Sequence, residues 1–276
     1  MRYPLRFTVS AFIVAVLSLS PCHRAWAKRA KAAPCRRVVI LSPAAADVFN
    51  SLGAGQVVVG VTKSVALFPR ARRVGSHIRP NVEIISSLKP DLLVVSSNRF
   101  FSEEMAQKVG CQVFYYNPVT CKGILKNILE IGRLLGREHQ AEALVERLKG
   151  ELASLRPISN HPTVLYEVME HPYMVAGSRN IVADMVRLAG GRYLVSAKRK
   201  IVRLSYEKAL SLSPQVYIYQ VGPMNKNPLP PGERPFFKGM NARFVRVDEL
   251  KFARPNTNTF DEILWLNRLF VKMDRQ

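Results

Sequence analysis

A short pattern occurs twice in this chain. Residues 83–90 read Glu83-Ile-Ile-Ser-Ser87-Leu88-Lys-Pro90, and residues 207–214 read Glu207-Lys-Ala-Leu-Ser211-Leu212-Ser-Pro214. A helix-capping residue, Asn81 or Ser205, stands two positions before each glutamate. An apolar run follows each proline, Leu92-Leu93-Val94-Val95 in one copy and Val216-Tyr217-Ile218-Tyr219 in the other. Each copy therefore predicts a short capped helix, halted before proline, that leads into a buried strand. The copies lie too far apart for a solenoid period. They imply two similar α/β lobes, each presenting a glutamate at the same place.

The rest of the chain fits that reading. Strands are expected at 37–41, 57–61, 92–95 and 113–116, with helices over 44–52 and 102–109 between them. Alternation of this kind implies parallel βαβ units. From Gly123 to about Leu155 the apolar residues follow the helical period, with Gly136 dividing two segments. The second segment, placed at 138–156, is expected to be one long helix joining the lobes. The second lobe then begins like the first, with a strand at 164–168 and a helix at 181–189. Residues 225–235 are a Pro/Gly/Asn-rich loop, 243–247 a strand and 260–273 a closing amphipathic helix. The fold class is thus α/β, two parallel-sheet lobes joined by a backbone helix. Boundaries are expected at 28–137 for the first lobe and 157–276 for the second.

The N-terminus reads as an export signal over 1–27. Arg2 and Arg6 precede an apolar stretch from Phe7 to Leu19, and Ala25-Trp26-Ala27 offers a small-x-small cleavage site. Pro21, His23 and Arg24 interrupt the run before it could span a membrane. Cys22 raises lipid anchoring, which Pro21 disfavours, so a periplasmic protein is expected. Three cysteines lie beyond the signal. Cys35 and Cys111 each precede a strand and are the better-placed pair, though three free thiols fit equally well. The formal net charge of +21 brings nucleic acid to mind. Export and the scatter of the basic residues argue against it. Attraction to an anionic surface and a site for an anionic ligand both remain.

With these landmarks in order, the chain resembles the helical-backbone periplasmic binding proteins that supply ABC importers with ferric siderophores, haem or cobalamin. The residues carrying the resemblance are Arg37-Val-Val-Ile-Leu-Ser-Pro43, Asn81-Val-Glu83 into Leu88-Lys-Pro-Asp91, and Val175-Ala-Gly-Ser178 with Leu188-Ala-Gly-Gly191. Ser205-Tyr-Glu207 into Ser213-Pro214 and Ala253-Arg-Pro255 complete the set. The resemblance implies a monomer that holds a small-molecule metal chelate in an interlobe cleft and has no cofactor of its own. It further implies that Glu83 and Glu207 dock into arginine pockets of a dimeric permease. The alternative for each glutamate is a first-turn residue favoured by the helix dipole.

Ligands of such sheets sit beyond the carboxyl ends of the strands. Those ends supply Lys63, Phe68, Arg99, Phe100 and Tyr116 in the first lobe, and Tyr173 and Arg254 in the second. Cations with aromatic walls suit an anionic ferric chelate, with cobalamin and haem as alternatives. The histidines His77, His139, His161 and His171 lack the mutual spacing of a metal site, so no protein-held metal is expected. Esterase elbows, phosphate loops and zinc-protease motifs are absent from the sequence, which leaves an exported enzyme on the same fold as the rival class.

Overall fold

The computed structural model describes residues 33–275, and these build two separate sheets. The signal at 1–27, with Cys22, lies outside the described residues. In the first lobe, β1 (Val38–Ile40), α1 (Ala45–Ser51), β2 (Val58–Val61) and β3 (Arg72–Arg73) follow one another. Then come α2 (Val82–Ser87), β4 (Leu92–Val95), α3 (Glu103–Val109) and β5 (Gln112–Tyr115). The sheet order is β3-β2-β1-β4-β5, and every pairing is parallel. β1 and β4 are buried throughout, as unbroken apolar runs at the centre of a covered sheet should be. Alternate residues serve opposite faces: Val38, Ile40, Leu92 and Val94 pack in one core cluster, Val39, Leu41, Leu93 and Val95 in another.

Two helices follow, α4 (Cys121–Leu135) and α5 (Glu138–Ala153). Gly136 divides them at a φ of 64°, the left-handed helix stop that glycine adopts at least cost. They pack closely enough that a Cβ on Gly132 would lie 2.4 Å from Ala141 Cβ. At the start of α5 the Arg137 guanidinium donates to Leu52 O in the first lobe (3.0 Å). Beyond its end, Arg156 exchanges backbone bonds with the Asn267 amide in the second lobe (2.9 Å each). α5 is thus the backbone helix between the lobes.

The second lobe contains β6 (Thr163–Met169), β7 (Met174–Ala176), α6 (Ile181–Leu188), β8 (Arg192–Tyr193), β9 (Ile201–Arg203) and α7 (Tyr206–Leu212). It closes with β10 (Val216–Val221), β11 (Arg243–Asp248), α8 (Glu249–Phe252) and α9 (Asn258–Asp274). Its sheet runs β11-β10-β6-β7-β9, with β8 also on β6. The parallel trio β6-β10-β11 repeats the trio β1-β4-β5. Unlike the first, this sheet is mixed: β7 is antiparallel to both β6 and β9. The reason is the short turn after β6, which can only return the chain alongside it. No helix among the described residues is long and apolar enough to cross a membrane.

The duplicated pattern folds alike in both lobes. Asn81 Oδ1 accepts the Ile84 N–H and Ser205 Oγ the Lys208 N–H, capping α2 and α7. Proline bars its predecessor from the ordinary helical region. Both predecessors respond identically, Lys89 with φ 45° and Ser213 with φ 44°. The three described cysteines are free thiols. Cys35 packs in the cluster on one face of the first sheet and Cys111 against the cluster on the other, so the pair is not joined.

Candidate ligand site at the strand ends

The segment past the carboxyl end of β5 and the start of α1 meet the segment after α8. Contacts between the lobes cluster here. Tyr116, just past β5, donates its hydroxyl to Pro255 O (2.8 Å). Asp47 of α1 accepts the backbone N–H and hydroxyl of Thr257 (3.0 and 2.5 Å). Asp184 of α6 accepts the Cys121 N–H at the start of α4 (2.7 Å). Lys200 donates to the Asn117 side chain.

The seven expected ligand contacts divide into two groups. Phe68, Tyr116 and Tyr173 are buried in the cores, at 7%, 1% and 5% exposure. Phe68 lies against Gly55, where an added Cβ would meet its ring at 3.4 Å. The Tyr173 hydroxyl is paired with that of Tyr217 (3.0 Å). Burial pushes both Tyr116 and Tyr173 well above the ordinary phenol range, so neither offers a phenolate. Their aromatic area went into packing, Tyr116 in the core cluster with Val38 and Ile40 and Tyr173 in the second lobe's with Tyr217. Lys63 and Arg99 are exposed, and Phe100 and Arg254 partly so. The Arg99 guanidinium stands 5.7 Å from the Phe100 ring centroid.

His77 joins this second group. It lies at the tip of a tight turn after β3, where Ser76 N–H bonds to Arg79 O (3.2 Å) and the Ser76 hydroxyl accepts from Arg79 N–H (3.1 Å). Gly75 begins that turn at φ 95°, and any Cβ there would strike Arg79 O at 2.6 Å. The turn sets the His77 ring edge-on to Phe100, with centroids 6.1 Å apart. Loss of surrounding water and then the Arg254 charge hold its pKa below the ordinary histidine value. A neutral imidazole, an aromatic face and guanidinium groups from both lobes therefore meet here. Spacing between histidines could not reveal this, because β3 is only two residues long and gives no pattern. The usable signal was the glycine before Ser76-His77.

In the second lobe an open pocket of about 280 Å³ lies beyond the ends of β6 and β10, lined by Met169, Glu170, His171, Pro223, Met224, Asn225 and Lys226. His171 projects with Nε2 3.5 Å from Glu170 Oε1. Beneath it Arg234, from the proline-rich loop, grips Glu167 through two bonds (2.6 and 3.0 Å) and Glu170 at 3.2 Å. Tyr217 donates to the same Glu167 (2.5 Å), and Leu229 N–H to Glu170 (3.0 Å). This buried network fixes the floor under His171. Among the described residues no group of three His, Cys, Asp or Glu side chains could hold a bare metal ion.

Glu83 and Glu207 occupy the first turns of α2 and α7 and are exposed. Backbone N–H and the Ser205 side chain hold the Glu207 carboxyl below the usual carboxylate range. Glu83 and Glu207 thus project into solvent at equivalent points of the two lobes.

The family model described as "Periplasmic binding protein" matches residues 38–229. The High-affinity heme uptake system protein IsdE of Staphylococcus aureus (strain Newman) is 23% identical over 222 residues, 76% of this chain and 75% of that protein. Among solved structures, the periplasmic heme binding protein HutB of Vibrio cholerae superposes with a TM-score of 0.74 at 21% identity, covering 84% of this chain and 98% of HutB. The periplasmic vitamin B12 binding protein BtuF of Vibrio cholerae gives 0.67 at 20% identity, covering 88% and 99%.

Proposed function

The chain belongs to the periplasmic binding protein family, the substrate-binding components of ABC importers, and we propose that its cargo is an anionic iron chelate of the haem type. The observation carrying this reading is the cluster at the lobe junction: neutral His77 edge-on to Phe100, flanked by Arg99 and Arg254. Neutral imidazole is the form that ligates iron. Aromatic faces suit a flat macrocycle, and the guanidinium groups suit its carboxylates. The heme-binding relatives support the same choice.

Lys63, Arg99, Phe100, Arg254 and His77 would line the first contact, and His171 would add a second imidazole from the second lobe. Phe68, Tyr116 and Tyr173 would support the walls from behind. A ferric siderophore, bulkier and also anionic, is the second reading, favoured by the cations alone. In both cases Glu83 and Glu207 would engage basic pockets on the permease dimer. The matching positions and conformations of the two α-helical caps support that role. The test is growth of the host with haemin as sole iron source after deletion of this gene, alongside haemin titration of the purified protein. Loss of growth restored by the gene, with saturable 1:1 binding, is expected. Unimpaired growth and no saturable binding would overturn the haem reading.

A further inference from the structure

Glycine at 177 lets a basic loop lie against the backbone after β7. A Cβ at that position would sit 2.2 Å from Arg199 O. The loop is then fixed along its length. Gly177 N–H bonds to Lys200 O (3.0 Å), Ser178 N–H to Ala197 O (2.9 Å) and Arg179 N–H to Arg199 O (3.2 Å). The Ser178 hydroxyl donates to Ser196 O (3.1 Å), and the Asn180 amide to Lys200 O (3.1 Å). A backbone held this firmly presents Arg179, Lys198, Arg199 and Lys200 together, all of them exposed. Among the described residues none of the four has a carboxylate within ion-pair distance.

Lys200 differs from an ordinary surface lysine in where its ammonium goes. It crosses to the first lobe and donates to Asn117, just past β5 at the ligand end of that sheet. Surrounding protein and the neighbouring Arg179 lower its pKa, as expected for a cation placed without an anion. A neutral amide oxygen is a weaker acceptor than a carboxylate. A carboxylate arriving between the lobes would therefore take the ammonium from Asn117.

We propose that Lys200 is an interlobe latch that exchanges Asn117 for an anionic group of the bound chelate, so that ligand charge sets affinity beside ligand shape. The proposal rests on the haem-type reading above and adds the residue that senses the ligand's charge. In it, Asn117 is a competitor for the ammonium, and Lys198, Arg199 and Arg179 raise the local positive potential.

The test compares haemin with its dimethyl ester, which has the same ring and iron but no carboxylates. Dissociation constants are measured for the wild type, Lys200→Met, Lys200→Arg and Asn117→Ala, each checked for native circular dichroism. Lys200→Met should weaken haemin binding roughly tenfold while leaving the ester unchanged, a loss of one charge-assisted bond. Lys200→Arg should retain most of the affinity. Asn117→Ala should bind haemin at least as tightly as the wild type. Equal weakening for haemin and ester, no weakening by Lys200→Met, or a loss in Asn117→Ala would each overturn the latch alone. Wild-type protein that binds neither compound would overturn the haem-type reading, and the latch with it.

Discussion

His77 titrates below the ordinary histidine range, first because it has lost surrounding water and second because Arg254 is near. The unfolded chain, with a histidine pKa of about 6.5, therefore takes up the proton before the folded one. The stability His77 contributes is full above that pH and declines as pH falls toward the lower folded value. Replacing His77 with Gln should flatten this stretch of the melting-temperature profile and weaken haemin binding roughly tenfold, equivalent to about 1.4 kcal/mol. A pH series of melts and titrations checks both. Arg234 is 2% exposed and pairs with two buried glutamates, Glu167 and Glu170. Removing it by Arg234→Met should cost about 3–5 kcal/mol, since two carboxylates would remain buried without a cation. Urea denaturation measures that loss. Residue roles were only partly legible in the sequence. Strand-end position picked out Arg99, Phe100 and Arg254 as candidates, but could not separate an accessible aromatic from a core one. Tyr116 and Tyr173 look alike in sequence to Phe100; neighbouring strands decide their burial.

At the scale of elements, the capped helices α2 and α7 carry the clearest sequence signature, and their geometry follows it to the angle before proline. Asn81→Ala and Ser205→Ala should each lower stability by about 1 kcal/mol, through one lost N-cap bond. Denaturant midpoints with unchanged slopes would bear this out, and an unchanged midpoint would contradict the capping role. Strands β1, β4 and β10 were readable because continuous apolar runs have few other homes. The short strands β3, β7 and β9 were not. Two or three residues give no period. β7 and β9 arise from the turn at 170–173 and from the backbone bonds around Gly177, which are tertiary features.

The whole molecule repeats one trio of parallel strands in two lobes, tied by α5 and by hydrogen bonds between the lobes. That the lobes are similar was evident from the duplicated glutamate pattern; how they touch was not, because Thr257, Asn117 and Lys200 lie in segments without periodicity, and the helical period of α1 does not say what Asp47 meets. The proposed docking role of Glu83 and Glu207 belongs to this scale. Substituting arginine for both Glu83 and Glu207 should abolish uptake while leaving haemin affinity unchanged, because both are exposed and outside the ligand site. Wild-type uptake at equal protein level would remove the docking role. The most direct test of the account is a thermal-shift panel of haemin, ferric siderophores, cobalamin and free metal ions. A cargo present at about 100 times its dissociation constant should add roughly 2.7 kcal/mol of stability. The account predicts a clear rise in melting temperature with haemin and none with free metal ions. A rise with cobalamin or a siderophore alone would contradict the haem assignment, and no rise with any chelate would contradict capture of a chelate in the cleft.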